Sequence, residues 1–273
     1  SIFVIINPSK RKTKMPNHVS NFVSFKETPI ELQKKIIKET FNEENDFDFN
    51  KIVPMPQELM IEESSDCEIG MVLVSNDSKH CNYLTIEEIK ERFSKRTEEQ
   101  QERILNLGKQ ALSNIEKYGC KSWYDFSCNK WGTKWNAYEC CVDNVSDSNF
   151  ENDLMQLNQN IHFNFQTAWS TPIPIFEALS KKYPEATFYI EYADEDMGHN
   201  CGYLEIKNGE ALDYNNDKTD SSENWNKFAF HLLYGVDANR EEHGFDANYE
   251  YSEEVIENYY KKEEIRNKLE NFD

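Results

Sequence analysis

The chain has 273 residues, a formal net charge of −20 and an aromatic content of 13%, despite a mean hydropathy of −0.81. Such a chain has enough rings to bury a core, which excludes disorder of its body, and its negative charge disfavours direct binding of nucleic-acid phosphates. The seven cysteines fit no disulfide framework and no apolar run reaches the length of a membrane span, so we expect reduced thiols in a cytoplasm.

Residues 1–14 differ from the rest of the chain because they carry four basic residues and no acid. We interpret them as an extension or a tag-like segment. Val19 to Phe25 has apolar residues at alternate positions, which predicts a strand buried on one face. Thr28 and Glu31 then form a capping-box pattern, which predicts the start of a helix.

A helical insertion is predicted at about residues 57–122. Its clearest helix begins at Thr85, with a capping box through Glu88, and ends at Gly119. The sequence T-E-E-Q at residues 97–100 is a second capping box inside this pattern. It leaves two alternatives, which are one long helix or two helices joined near the second box.

An aromatic stretch follows the insertion and extends from Trp123 to Glu139. It holds three of the five tryptophans, and we interpret it as the seam between the inserted helices and the sheet. Trp135 to Val142 predicts a strand, and the Asn-, Asp- and Ser-rich residues 143–160 predict a hairpin-like loop. Strict alternation of apolar and polar residues from Ile161 predicts the next strand.

The last third of the chain begins with a predicted helix from about Pro172 to Tyr183. Thr187 to Tyr192 predicts another strand. The dipeptide Asn208-Gly209 lies between two short apolar segments and is a strong local signal for a β-hairpin. Beyond the hairpin, residues 216–273 form an acidic extension in which Ser222 to Tyr234 predicts a helix.

The order of these elements predicts the fold. A strand, a helix, an insertion, two strands, a helix and a strand make an α+β fold of the ferredoxin-like β-α-β-β-α-β type. We therefore predict a ferredoxin-like domain at residues 15–215 that contains the insertion at about 57–122. Residues 1–14 precede this domain, and residues 216–273 form an acidic C-terminal helical extension.

Four segments also carry a resemblance to a known family. They are M-P-N-H-V-S-N at 15–21, F-N-K-I-V-P-M-P at 49–56, W-G-T-K-W-N-A-Y at 131–138 and T-A-W-S-T-P-I-P at 167–174. Together they resemble the YubB ferredoxin-like family of phage and plasmid proteins, over about residues 15–205. The resemblance implies the fold, an origin on a mobile genetic element and thus the host bacterial cytoplasm. It implies no catalytic residue and no cofactor.

The first candidate site is an aromatic and lysine platform made of Trp131, Lys134, Trp135 and Asn136. Two rings beside a lysine are able to stack on a base or on a peptide. The alternative is structural, with both indoles packing the inserted helices against the sheet. The sequence does not decide between these two interpretations.

The sequence supports a metal site or a cysteine nucleophile less well than it supports the aromatic and lysine platform. Asp194 to Asp196 precede His199 and Cys201, but these residues lack a full ligand set at a recognisable metal spacing. The cysteines show no Cys-His-Asn signature of a nucleophile. We therefore predict no metal, no cofactor and no catalytic residue.

The second candidate site is the acidic surface. Its predicted partner-facing patch consists of Asp194, Glu195, Asp196, Glu241, Glu242, Glu253 and Glu254. Spaced carboxylates are able to imitate a phosphate backbone and to occupy the basic groove of a nucleic-acid-binding protein. The alternative is that the charge serves solubility alone.

The sequence thus favours a non-enzymatic acidic interaction protein from a phage or plasmid. It would inhibit a host defence or nucleic-acid-processing protein by occupying a basic surface on it, without contacting a membrane or binding nucleic acid directly. The alternative is a binder of a small ligand or of single-stranded nucleic acid, or an enzyme, that uses the aromatic sheet face around Trp131 to Trp135.

Overall fold

The computed structural model describes residues 17–258, 260 and 261. The segment predicted at residues 1–14 lies outside the described residues, as do residues 262–273 of the predicted extension. The strands are β1 (His18–Lys26), β2 (Tyr138–Val142), β3 (His162–Ala168), β4 (Thr187–Asp194), β5 (Gly202–Lys207) and β6 (Glu210–Asn216). The helices are α1 (Ile30–Thr40), α2 (Ser65–Ser75), α3 (Ile86–Ser94), α4 (Glu98–Tyr118), α5 (Trp123–Phe126), α6 (Phe150–Gln156), α7 (Ile173–Lys182) and α8 (Trp225–Tyr234).

The six strands form one antiparallel sheet in the order β2-β3-β1-β4-β5-β6. Within it, β2-β3-β1-β4 together with α1 and α7 is the ferredoxin-like arrangement, so the predicted fold class is confirmed. The β5–β6 hairpin extends the sheet beyond β4. Its turn has positive φ at both Asn208 (50°) and Gly209 (80°), which a two-residue type I′ hairpin turn requires.

The main core lies between α1, α7 and one face of the sheet. Residues of β1 are buried at every second position, as the alternation in the sequence predicts. The fully buried ring of Phe47, from the loop after α1, lies 5.3 Å from the ring of Phe163 and 5.2 Å from that of Phe165. Among the described residues, eight of the twelve largest fully buried side chains are phenylalanines, which explains how a polar chain builds a core.

The inserted helices pack on one another at a point where two glycines meet. A Cβ on Gly70 of α2 would lie 2.1 Å from the carbonyl oxygen of Ile104, and a Cβ on Gly108 of α4 would lie 2.1 Å from the Gly70 backbone. Any larger residue at either position would therefore push α2 and α4 apart. The insertion also resolves the alternative left by the sequence, because α3 and α4 are separate helices with a complete capping box each, at Thr85 and Thr97.

Several predicted boundaries differ from the structure. Thr28 does not cap α1, because its hydroxyl donates to the carbonyl oxygen of Lys26 (2.8 Å) and accepts from the Thr187 amide (3.1 Å). The strand predicted from Trp135 begins only at Tyr138. The loop predicted at residues 143–160 contains α6. The boundaries of the insertion and of the C-terminal extension stay predictions.

Candidate functional site

The aromatic stretch is shaped by a turn that only glycine permits. After α5 the chain forms a π-helical turn, Ser127–Trp131, that ends at Gly132 with φ +79°. A Cβ on Gly132 would also lie 2.7 Å from Cδ of Pro174. This turn directs Trp131 inward, where it is 4% exposed and donates from Nε1 to the carbonyl oxygen of Val53 (2.9 Å).

Asn136 is likewise held by internal hydrogen bonds. Its Oδ1 accepts from the Phe49 amide (2.9 Å) and its Nδ2 donates to Oδ1 of Asp48 (2.8 Å). Trp131 and Asn136 therefore fasten the loop after α1 to the aromatic stretch. For these two members of the predicted platform, the structural interpretation describes the geometry better than stacking on a ligand does.

Lys134 and Trp135 lie at the surface, together with a residue that the sequence analysis did not select. The Lys134 ammonium lies 5.0 Å from the ring centroid of Trp135 and 4.7 Å from that of Trp169. The two indoles are 38% and 41% exposed. The attraction of one ammonium to the faces of two indole rings is favourable.

Trp169 has a backbone conformation that is rare for an aromatic residue, with φ +78°. Its amide donates to the carbonyl oxygen of Asn17 (2.9 Å), and its own carbonyl oxygen accepts from Nδ2 of Asn200 (2.9 Å). Hydrogen bonds on both sides thus maintain a strained backbone, and residues of this kind are concentrated at functional sites. Nothing local in the sequence marks it, because both bonds come from distant segments.

A groove of about 430 Å³ lies beside this cluster. It is lined by Met55, Met60, Trp123, Trp135 and Lys134, among other residues. Its volume suits a small ligand or an aromatic side chain. All four members of the predicted platform line this groove, Trp131 and Asn136 included, so the ligand-binding alternative stays a prediction for all of them.

In the predicted acidic patch, Asp194 differs from the other carboxylates. It is 4% exposed and accepts hydrogen bonds from Nδ2 of Asn17 (3.1 Å), the Asp196 amide (2.9 Å) and Nδ2 of Asn200 (2.8 Å). It organises the connection between β4 and β5 and does not face solvent. The burial and the hydrogen bonds give Asp194 a structural role, and its partner-facing role stays a prediction.

The other six members of the patch are exposed: Glu195, Asp196, Glu241, Glu242, Glu253 and Glu254. The hydroxyl of Tyr251 donates to the carbonyl oxygen of Glu195 (3.3 Å), which brings the chain before Glu253 against the β4–β5 connection. Burial, followed by the charges of its neighbours, raises the pKa of Tyr251. Across residues 17–258, 260 and 261, these six carboxylates make no salt bridge.

Four of the seven cysteines are buried, Cys128 and Cys140 are partly buried, and Cys141 is exposed. Burial raises the pKa of Cys140 and of Cys201 to about 12, so both are protonated thiols at neutral pH. Cys201 packs in a cluster with Trp225 and Phe230. Among the described residues, no group of three or more His, Cys, Asp and Glu is arranged to hold a metal ion.

None of the helices in the described part of the chain is both long and apolar enough to cross a membrane.

One comparison with known proteins, the match to a family model, agrees with the fold. Residues 130–246 match the family model of the ferredoxin-like domain in Api92-like protein. No curated protein matches the chain. A crystal structure of a protein api92 from Yersinia pseudotuberculosis aligns with 74% of this chain and 98% of its own, at 9% identity and a TM-score of 0.31.

The family match includes two of the four motifs that carry the resemblance, at 131–138 and 167–174. It extends beyond the resemblance, through α8 to residue 246. The motifs at 15–21 and 49–56 lie outside it. The YubB name and the setting on a mobile element stay predictions. Residues 130–246 are similar to the ferredoxin-like domain of Api92-like proteins.

Proposed function

We propose that this protein is a non-enzymatic interaction protein that binds a basic surface of a partner protein through the carboxylates of its C-terminal region. The observation that carries the proposal is the charge of residues 191–258. This region holds eighteen Asp and Glu against four Lys and Arg, a net charge of −14 out of −20 for the chain. Only Glu205 and Glu257 of these acids form a salt bridge with a described residue.

Unpaired surface carboxylates act mainly on association. Their summed field attracts a positively charged surface over a Debye length of about 8–10 Å, and such steering raises association rates by about 10–10³-fold. An exposed carboxylate also loses little solvation before it meets its partner. The C-terminal region thus suits recognition of a basic protein surface and disfavours recognition of a polyanion.

The nature of the partner is the finer part of the proposal. A surface that binds nucleic acid is basic because it neutralises phosphates with Lys and Arg, and spaced carboxylates can occupy it in place of phosphates. With the resemblance to phage and plasmid proteins, this favours a host defence or nucleic-acid-processing protein as the partner, and inhibition as the result.

The test compares two charge-reversal variants of equal size. One replaces Glu241, Glu242, Glu253 and Glu254 by Lys, and the matched control replaces four acids of the insertion, Glu87, Glu98, Glu99 and Glu102, by Lys. Each protein is immobilised and exposed to a bacterial lysate at low salt. We expect a basic protein that the wild type and the control retain and the C-terminal variant loses. Equal retention by both variants, or no retained protein, contradicts the proposal.

A second candidate function is supported by the geometry at Lys134. The partly exposed indoles of Trp135 and Trp169 beside a groove of about 430 Å³ suit a flat ligand such as a nucleobase. The assay is tryptophan fluorescence during titration with a single-stranded oligonucleotide at low salt, with Trp135→Ala as the variant. Quenching that is lost in Trp135→Ala supports this function, and an unchanged spectrum excludes it.

A further inference from the structure

The face of the sheet opposite the main core is polar and only partly covered. Helices α1 and α7 pack on the face that buries Val19, Val23 and Phe25, whereas α8 covers only the β4–β5 side of the other face. The open face presents, from β1, β3 and β4, Ser20, Phe22, Ser24, His162, Asn164, Gln166 and Glu191. A sheet face of this kind is available to a ligand.

The register of the strands places three of these residues in one row. Phe22 in the central strand β1 is opposite Asn164 in β3 and opposite Glu191 in β4. Side chains of directly opposite residues have Cβ atoms about 4.5–5.5 Å apart. An aromatic ring therefore has a carboxamide on one side and a carboxylate on the other.

The polar side chains around Phe22 lack internal partners, whereas His18, at one end of the same face of β1, is hydrogen-bonded to the Tyr138 hydroxyl (2.6 Å). Within the described part of the chain, the side chains of Ser20, Ser24, His162, Asn164, Gln166 and Glu191 form no hydrogen bond and no salt bridge. Asn21, on the opposite face of β1, donates from Nδ2 to Oγ1 of Thr167 (2.9 Å). The cation whose charge lowers the pKa of Glu191, Lys26, is bound to Glu205 at 2.6 Å.

A cavity of about 180 Å³ lies over this row. It is lined by Phe22, Asp143, His162, Asn164, Glu191 and, from α8, Leu232. A second cavity of about 400 Å³ shares Glu191 and Leu232 and continues along α8 past Lys227 and His231. Burial raises the pKa of Glu191, and the charge of Lys26 offsets this only in part.

We propose that the cavity over Phe22 binds the guanidinium group of an arginine side chain, stacked on the Phe22 ring between the Glu191 carboxylate and the Asn164 carboxamide oxygen. The arginine belongs to the partner protein, and in this respect the proposal rests on the proposed function. The two carboxylates that line the cavity, Glu191 and Asp143, complement a cation and repel an anion.

Arginine suits this cavity better than lysine does. A guanidinium is planar, is weakly hydrated, stacks on aromatic rings and presents several N–H donors in one plane, so it can meet a ring, a carboxylate and an amide oxygen together. The ammonium of lysine is a strongly hydrated point charge without a planar face. An aromatic residue flanked by a carboxylate and an amide thus selects for arginine.

The test uses three capped tripeptides, acetyl-Gly-X-Gly-amide with X as Arg, Lys or citrulline, titrated onto the full chain and followed by calorimetry. Citrulline has nearly the shape of arginine without its charge. We expect the arginine peptide to bind more tightly than the lysine peptide, and the citrulline peptide not to bind. Equal binding of the arginine and citrulline peptides, or no binding of the arginine peptide, overturns the proposal.

Variants locate the site. Glu191→Gln should weaken binding of the arginine peptide by about tenfold, which corresponds to about 1.4 kcal/mol. The control Glu185→Gln, an exposed acid that lines neither cavity, should leave binding unchanged. Phe22→Leu keeps an apolar side chain and should remove the preference for arginine over lysine. If binding survives unchanged in both cavity variants, the site is wrong.

The outcome is separable from that of the proposed function. Peptide binding at Glu191 with no loss of partner in the C-terminal charge-reversal variant would retain the cavity and reject the acidic surface. Loss of the partner in that variant, with no binding of the arginine peptide to the wild type, would retain the acidic surface and reject the cavity.

Discussion

The helical insertion (residues 57–122) and the C-terminal region (residues 191–258) are both acidic, but their acidic residues differ in how many form salt bridges. Residues 57–122 hold thirteen acids and nine bases, and the two signs meet in ion pairs within the insertion: Asp77–Lys79, Glu91–Lys95, Asp66–Arg96, Glu62–Arg103, Glu58–Lys117, and Lys121 with both Glu63 and Glu68. Residues 191–258 have the opposite pattern, with eighteen acids, four bases and few pairs.

This difference shows that composition alone does not locate a charged interaction surface. When an acidic residue is paired with a base, three or four residues away or on a neighbouring helix, the base cancels most of its electrostatic field in the solvent. The C-terminal region lacks such bases, so its field extends into solvent. The electrostatic surface of this protein is therefore concentrated on one part of the chain.

The largest expected effect concerns the packing of the insertion. Gly108→Ala would force a Cβ into the Gly70 backbone and should lower the free energy of unfolding by about 3 kcal/mol, the upper end for overpacking. Thermal unfolding followed by circular dichroism measures it. The control is Asn106→Ala, an exposed position on the same helix, which should change stability little. Similar stabilities for both variants would contradict the close approach of α2 and α4.

Two neighbouring aspartates of the C-terminal region, Asp194 and Asp196, should differ in their effects on stability and on partner binding. Asp194→Ala removes the acceptor of three hydrogen bonds and should cost about 2 kcal/mol of stability, because the donors are left without a partner. Asp196→Ala removes an exposed carboxylate and should affect partner binding but not stability. Chemical unfolding curves of the two variants distinguish these roles, and equal stabilities would show that Asp194 is not structural.

Ion pairing in the insertion predicts a smaller effect. Lys121 lies 2.7 Å from Glu63 and 3.5 Å from Glu68, and all three side chains are partly buried. Lys121→Met should lower the free energy of unfolding by about 1 kcal/mol at low salt, and by less at high salt because salt screens the pairs. A loss independent of salt would mean that packing of the lysine stem, and not its charge, is responsible.

The smallest effect is a pH dependence at Glu191. Burial raises its pKa in the folded protein above the value of about 4.3 in the unfolded chain, so ionisation destabilises the fold as pH rises from about 4 through the folded pKa. Glu191→Gln should therefore raise the melting temperature relative to wild type at pH 7 and lose this advantage at pH 4. An equal difference at both pH values would contradict a raised pKa.

Local signals were sufficient to predict most elements of the fold. The capping boxes at Thr85 and Thr97 and the Asn208-Gly209 turn depend on residues within four positions, and the alternation in β3 depends on the strand itself. The sequence therefore predicted the ferredoxin-like order of strands and helices. Thr28 was misjudged because its hydroxyl is bound by a neighbouring strand.

The candidate sites were less predictable because they depend on contacts between distant segments. The buried indole of Trp131 donates to the carbonyl oxygen of Val53, and the buried carboxylate of Asp194 accepts from Asn17 and Asn200. The row of Asn164, Phe22 and Glu191 exists only through the register of three strands. No pattern in any one of these segments indicates what the others contribute.

The most direct test of the account is the salt dependence of association with a partner obtained by capture. Its association rate constant is measured by surface plasmon resonance between 50 and 500 mM salt, for the wild type and for the C-terminal charge-reversal variant. If the unpaired carboxylates of residues 191–258 recognise a basic surface, the wild-type rate falls steeply as salt rises, by about tenfold or more, and the variant rate is low throughout. Equal rates for both proteins, unaffected by salt, would contradict it.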